Sequence, residues 1–299
     1  MKTIARFSCI FLLFFVAACV PFSQKAFVTS TEFSAEGTAL PTINPGLSVE
    51  KLQNLSYLSP NFGKRVQLSD GVFIDVEMTI TLLPQIAIGD LNGDQLDDAA
   101  VLLAENGGGT GNFVSLVVIV SQQDGEYHQV GSKLIDDRPI IQSLTINDGA
   151  INLEATVHGI NDPMASPTLG VEQTFKLLEN NLTMLRQSST PQGGTERSIT
   201  IESPLDGSEV SGTVQLKGGM LIAPFENSLS FKILDLAGTE LYSDGFMVTS
   251  ADLGMPAVFD NQIALPVLPS GAWVRLELAE LSMADGSVMD MDSVLVKIK

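Results

Sequence analysis

The chain has 299 residues, room for two ordinary domains, with 44% hydrophobic residues and a formal net charge of −19. So acidic a chain is repelled by phosphate backbones and anionic lipid surfaces, which argues against nucleic acid as a partner and against polybasic attachment to a membrane. Its two cysteines are Cys9 and Cys19 and its two histidines are His128 and His158, so neither a disulfide framework nor a zinc centre is expected.

Lys2 and Arg6 precede an apolar run over residues 10–15, which Val16-Ala17-Ala18-Cys19 closes. The run is well short of the roughly 20 residues that cross a bilayer, so a cleaved export signal is expected in place of a spanning anchor. The closing residues resemble the lipobox of bacterial lipoproteins. The resemblance implies cleavage before Cys19 and a covalent lipid on its sulfur; a plain secretory signal cut after Ala18 is the alternative. Residues 1–18 are read as the signal peptide and 19–46, rich in Ser, Thr, Pro and Gly, as a flexible tether. The expected location is extracytoplasmic, with the chain anchored to a bacterial membrane in the cell envelope. Val20 stands where an Asp can retain lipoproteins at an inner membrane, which leaves an outer-membrane fate open.

A short helix is expected between Leu47 and Leu55. Short apolar runs follow at 66–68, 72–74, 80–88 and 114–120, the last β-branched enough for a buried strand. Asp148-Gly149 between two alternating runs (140–146 and 151–157) predicts a hairpin. Residues 47–187 are therefore read as a β-rich domain, β or α+β, and the polar stretch 188–198 as the linker that follows it.

Within that domain, Gly89-Asp90-Leu91-Asn92-Gly93-Asp94-Gln95-Leu96-Asp97-Asp98 is the one stretch with ligand chemistry. Calcium takes six to eight oxygens, and a tight loop supplies them when carboxylates and amides fall on alternate residues. Asp90, Asn92, Asp94, the Leu96 carbonyl and Asp98 hold loop positions one, three, five, seven and nine. Gln95 takes the position where a left-handed backbone favours glycine, at a cost of about 1 kcal/mol; a solvated turn without metal is the alternative. The loop and the apolar strand after it resemble FG-GAP (integrin-propeller-like) repeats and, more loosely, the start of an EF-hand loop. The motif occurs once, so a full propeller is not expected.

Glu105-Asn106-Gly107-Gly108-Gly109-Thr110-Gly111 lacks the Lys-Ser/Thr of a phosphate-binding loop and reads as a hairpin loop. Arg138-Pro139, after Asp136-Asp137, reads as a local ion pair or a turn and is given no functional role. Together the blocks at 89–99, 108–113 and 162–168 resemble an uncharacterised domain of bacterial surface lipoproteins and secreted proteins. Some of those relatives have two cysteines where Ala165 and Ser166 stand, and no activity comes with the likeness.

Beyond residue 198, alternation at 214–216, 229–233, 274–278 and 294–298, with shorter runs at 199–201, 240–242 and 258–259, gives about seven strands, the count of an immunoglobulin-like sandwich. Ile201-Glu202-Ser203-Pro204, Gly207, Phe225-Glu226, Asp235-Leu236-Ala237-Gly238 and Asp285-Gly286-Ser287 resemble the immunoglobulin-like domain associated with bacterial spore germination. This implies an accessory β-sandwich over residues 199–299. Phe225-Glu226 reads either as surface-exposed or, the blander alternative, as a buried Phe beside a solvated Glu. Trp273 falls in phase with Arg275 and Glu277, opposite the apolar face, and is read as a candidate contact for a sugar ring; the alternative is a strand-end position half covered by a loop.

The chain is thus read as mainly β and non-enzymatic, with no catalytic residue assigned: a cell-envelope lipoprotein serving as a binding or scaffolding module. It is held to the membrane by the lipid on Cys19, with calcium in the acidic loop and an envelope protein or glycan as partner. The alternative is an envelope enzyme or accessory protein acting on cell-wall glycan through paired carboxylates. Partner, process and oligomeric state are not legible.

Overall fold

A computed structural model describes residues 46–299, all within one compact unit. The signal peptide, Cys19 and all but the last residue of the tether lie outside the described residues. The protein is mainly β. Among the described residues the single α-helix, α1 (Val49–Gln53), starts where the Ser48 hydroxyl accepts a hydrogen bond from the Lys51 amide.

The N-terminal half begins with a small ribbon of β1 (Ser56–Leu58) and β2 (Arg65–Gln67). An antiparallel meander follows in the order β3 (Val72–Ile74), β4 (Thr79–Gly89), β5 (Asp98–Asn106), β6 (Phe113–Ser121) and β7 (Tyr127–Asp137). Pro84 sits where the β4–β5 register shifts, between Leu82 and Ile86, where its missing N–H breaks no ladder bond. β5 is apolar from Ala99 to Ala104, where both of its faces are covered. Ala100, Leu102 and Ala104 join the core shared with the next sheet. Ala99, Val101 and Leu103 join a second core with Leu52 of α1, Tyr57 and Val66.

That next sheet starts with β8 (Ile140–Asn147), β9 (Ala150–Val157), β10 (Leu169–Leu178) and β11 (Asn181–Thr190), paired consecutively. Asp148 and Gly149 both take left-handed backbone, as the predicted two-residue turn requires. Glu179 and Asn180 do the same between β10 and β11 without a glycine.

The C-terminal half contains β12 (Ile199–Ser203), β13 (Glu209–Val210), β14 (Thr213–Met220), β15 (Ser228–Asp235), β16 (Glu240–Met247), β17 (Thr249–Ser250), β18 (Ala257–Ala264), β19 (Trp273–Leu281) and β20 (Val288–Ile298). One layer runs β12-β14-β18-β17 and the other β16-β15-β19-β20. The core between them is aliphatic, with Phe231, Phe246 and Phe259 in edge and tilted contact at centroid distances of 6.1 and 5.4 Å.

The two halves share a sheet. β20 pairs antiparallel with β11, Arg186 opposite Asp292 and Gln187 opposite Met291, so one sheet runs β16-β15-β19-β20-β11-β10-β9-β8 and floors both sandwiches. β11 continues to Thr190, three residues into the segment read as linker. Ser189 and Arg197 then exchange backbone hydrogen bonds of 3.0 and 2.7 Å that close residues 190–196 into a loop.

The seam is polar and almost fully paired. Asp292, buried, accepts from Arg186 (3.2 Å) and from the Ile201 amide (2.8 Å). The Ser293 hydroxyl donates to the Leu185 carbonyl, Gln187 donates to that of Val288, and Arg275 donates to that of Met184. Arg197 grips both carboxylate oxygens of Glu280. Such groups tolerate burial because each donor and acceptor is matched.

Candidate functional site

Three places carry polar chemistry: the acidic loop, a cavity at the seam, and the surroundings of Trp273.

The acidic loop joins β4 to β5. The Asp90 carboxylate accepts from the amides of Asn92, Gly93 and Gln95; the Asn92 side chain accepts from the Asp94 amide, and Asp94 from the Leu96 amide. Gln95 is left-handed at φ +68, the conformation expected where glycine is usual. The Gln95 amide, followed by those of Gly93 and Asn92, holds Asp90 below the usual carboxylate range. Asp98 is fully buried at the start of β5, and its oxygens accept from the Leu91 and Ser121 amides at 2.9 Å each. Burial pushes its carboxyl up, and the neighbouring charges of Asp94 and Asp90 add to the rise.

Asp90, Asn92, Asp94, the Leu96 carbonyl and Asp98 all offer oxygen donors, the chemistry a hard divalent cation takes. Among the described residues, no three His, Cys, Asp or Glu side chains converge closely enough to hold a metal in the arrangement seen. The loop's carboxylates are turned onto its own amides.

The glycine-rich stretch is a hairpin loop. The Asn106 side chain spans it, donating to the Gly109 and Gly111 carbonyls and accepting from the Gly108 amide.

A cavity of about 600 Å³ opens where the two halves meet, lined by His158, Asp162, Thr168, Arg197, Asp285 and Met289 among others. Asp162 accepts from the Gly159 amide and from the amide and hydroxyl of Thr168. These donors, the Gly159 amide foremost, hold it below the usual carboxylate range and clamp the 159–168 loop on one wall. His158 stands behind that loop. Its Nδ1 and its backbone amide both meet Asp136 Oδ2, at 2.7 and 2.5 Å, while its Nε2 is buried without a hydrogen-bond partner. No hydroxyl is bonded to that nitrogen, so the nucleophile–base contact of a hydrolase is not formed at His158.

The neighbouring Asp137 accepts from the Asn112 amide and from Arg138. Arg138 thus makes the local ion pair that sequence allowed, with its neighbour Asp137, and the Asn112 amide ties the end of β7 to the glycine-rich hairpin. The Asp136–His158 and Asn112–Asp137 partners lie 22 and 25 residues apart, and no local spacing could reveal them.

Trp273 is 39% exposed at the start of β19. Its expected companions on a solvated face are not there. Arg275 is buried and paired with Glu277 at 2.7 Å, because the N-terminal half covers that part of the strand through Met184. Phe225 is 58% exposed, the surface-exposed one of its two sequence readings.

Residues 198–287 match the family model of the immunoglobulin-like domain of bacterial spore germination. The match ends just before β20, the strand through which the sandwich joins the N-terminal half. Comparisons with curated proteins and with solved structures gave no match.

Proposed function

We propose that this protein is a non-enzymatic lipoprotein of the bacterial cell envelope, tethered through Cys19, whose folded part is a rigid binding module. The observation that carries the reading is the shared sheet. It mounts an immunoglobulin-like sandwich immovably on the N-terminal half, as presentation of a binding surface requires and an independently swinging accessory domain would not. The cavity at the seam, within the size range of small-ligand sites, is then open to an envelope glycan or peptide. Trp273, half-exposed beside no solvated partners, is a secondary contact in this reading.

Photo-cross-linking on intact cells, with the reactive group at Gln192 on the cavity wall, tests it. The expected result is a discrete cross-linked envelope component that is lost when Cys19→Ser releases the protein. Recovery of the protein with residues 1–18 intact and no acyl chain would refute the tether. The second reading, an enzyme acting on wall glycan, draws on the two carboxylates of the cavity, Asp162 and Asp285. Hydrolysis of peptidoglycan abolished by Asp285→Asn would replace the first reading with it.

In the same proposal the N-terminal half is FG-GAP-like at its acidic loop, and calcium bound there would neutralise the crowded carboxylates and stiffen the β4–β5 turn. At calcium about 100-fold above its Kd, the folded state should gain about 2.7 kcal/mol. Thermal melts with calcium and with chelator read this directly. The gain should vanish in Asp90→Ala/Asp94→Ala, and equal melts for the unaltered protein under both conditions would end the calcium claim.

A further inference from the structure

The cavity and the acidic loop leave unexplained an apolar cluster on the immunoglobulin-like half. The β14–β15 connection (221–227) and the segment from β16 to β18 (247–258) lie side by side, since the Ala223 amide donates to the Met255 carbonyl and the Val248 amide to the Asn227 carbonyl, at 2.8 and 2.9 Å. Between them they expose Leu221, Phe225, Met247, Leu253, Met255 and Val258. A phenylalanine, two leucines and two methionines on adjoining loops differ from singly scattered surface hydrophobics and mark an interaction site.

Two further observations bear on this cluster. Glu226 and Asn227 both take left-handed backbone (φ +56 and +54) with no glycine present, a costly arrangement that turns Phe225 outward, away from the core. The two loops also carry acid without base: Glu226 and Asp252 lie in them, while Lys217 and Lys232 stand on the flanking strands, the first opposite Asp260 and the second paired with Glu240 at 3.1 Å. Glu226 and Asp252 are both exposed, and neither forms an ion pair.

We infer that these loop tips are a docking surface for a protein segment that presents apolar side chains interspersed with lysine and arginine. The apolar cluster supplies the contact area and the acidic rim selects the charge. The same rim disfavours an anionic bilayer, which a basic border would attract. The inference rests on the reading of the chain as a binding module, but its surface is distinct from the seam cavity.

The test uses the purified full-length chain and two amphipathic peptides, one of leucine and lysine and one of leucine and glutamate, with binding followed by calorimetry. The leucine–lysine peptide should bind, more weakly as salt rises, and the leucine–glutamate peptide should not. Phe225→Ser/Met255→Ser should weaken binding at least tenfold, and Glu226→Lys/Asp252→Lys should do so independently; all four positions are exposed, and matching melts would show that the fold is kept. Absence of binding, or binding unchanged by both double variants, would overturn the inference. So would adsorption to lipid vesicles through Phe225 in place of peptide binding. Any of those results leaves the intact-cell cross-link at Gln192 to be judged separately.

Discussion

Asp292→Ala should unfold at a markedly lower urea concentration, with a loss of about 3 kcal/mol. This carboxylate is buried and gathers three separate elements. It takes the side chain of Arg186 on β11, the backbone amide of Ile201 on β12, and the amide of Ser293 on its own strand. Removing it strands the buried Ile201 N–H, and an unsatisfied buried donor costs far more than a surface pair gains. Arg186 is itself more than half exposed, so Arg186→Ala should cost no more than about 1 kcal/mol. Equal losses for the two variants would show that the ion pair, and not the buried amide contact, matters at the seam.

The second large effect depends on pH. Asp290 is fully buried on β20, opposite Glu280 on β19, and neither of its carboxylate oxygens has a hydrogen-bond partner. Burial, with the neighbouring Glu280 charge adding to it, pushes its carboxyl up to about 8 from an ordinary value of 3.8. Between those values the folded chain holds a proton that the unfolded chain releases. Stability from this group is therefore complete below about pH 4, falls by up to about 1.4 kcal/mol per pH unit as pH rises, and levels off above about pH 8. Arg197, locked onto Glu280, softens the loss without removing it. Asp290→Asn keeps a neutral side chain with a donor for Glu280 at every pH. It should be more stable than the unaltered protein, by a margin that widens from pH 5 to pH 8 in urea titrations. A margin that stays constant over that range would refute the protonated state of Asp290.

Much of the architecture is visible in local pattern. The Asp148-Gly149 hairpin, the buried strand at 114–120 and the sandwich strands beyond residue 198 are written in alternation and turn residues, which act within a few positions. The hairpin of β10 and β11 is hidden because Glu179-Asn180 makes its left-handed turn without the glycine that usually announces one. The partnership of β11 with β20 is hidden for another reason: Arg186 and Asp292 are 106 residues apart, and nothing local encodes their meeting. That same contact changes the meaning of the alternation in β19. Arg275 and Glu277 look solvent-facing in sequence and are covered, because the neighbouring half lies across them.

The candidate sites divide in the same way. The acidic loop is legible because its side chains serve their own backbone, down to the left-handed Gln95. The cavity is not, since His158, Asp162, Arg197 and Asp285 come from different loops and strand ends. Phe225 reads from sequence as either core or surface; it is exposed, next to the left-handed Glu226 and Asn227, which no glycine announces.

The claim on which the account stands is that one sheet makes the two sandwiches a single mechanical body. Differential scanning calorimetry of the protein measures this most directly. The account predicts one transition whose calorimetric and van't Hoff enthalpies agree. Two resolved transitions, with the C-terminal sandwich melting separately from the N-terminal half, would contradict it.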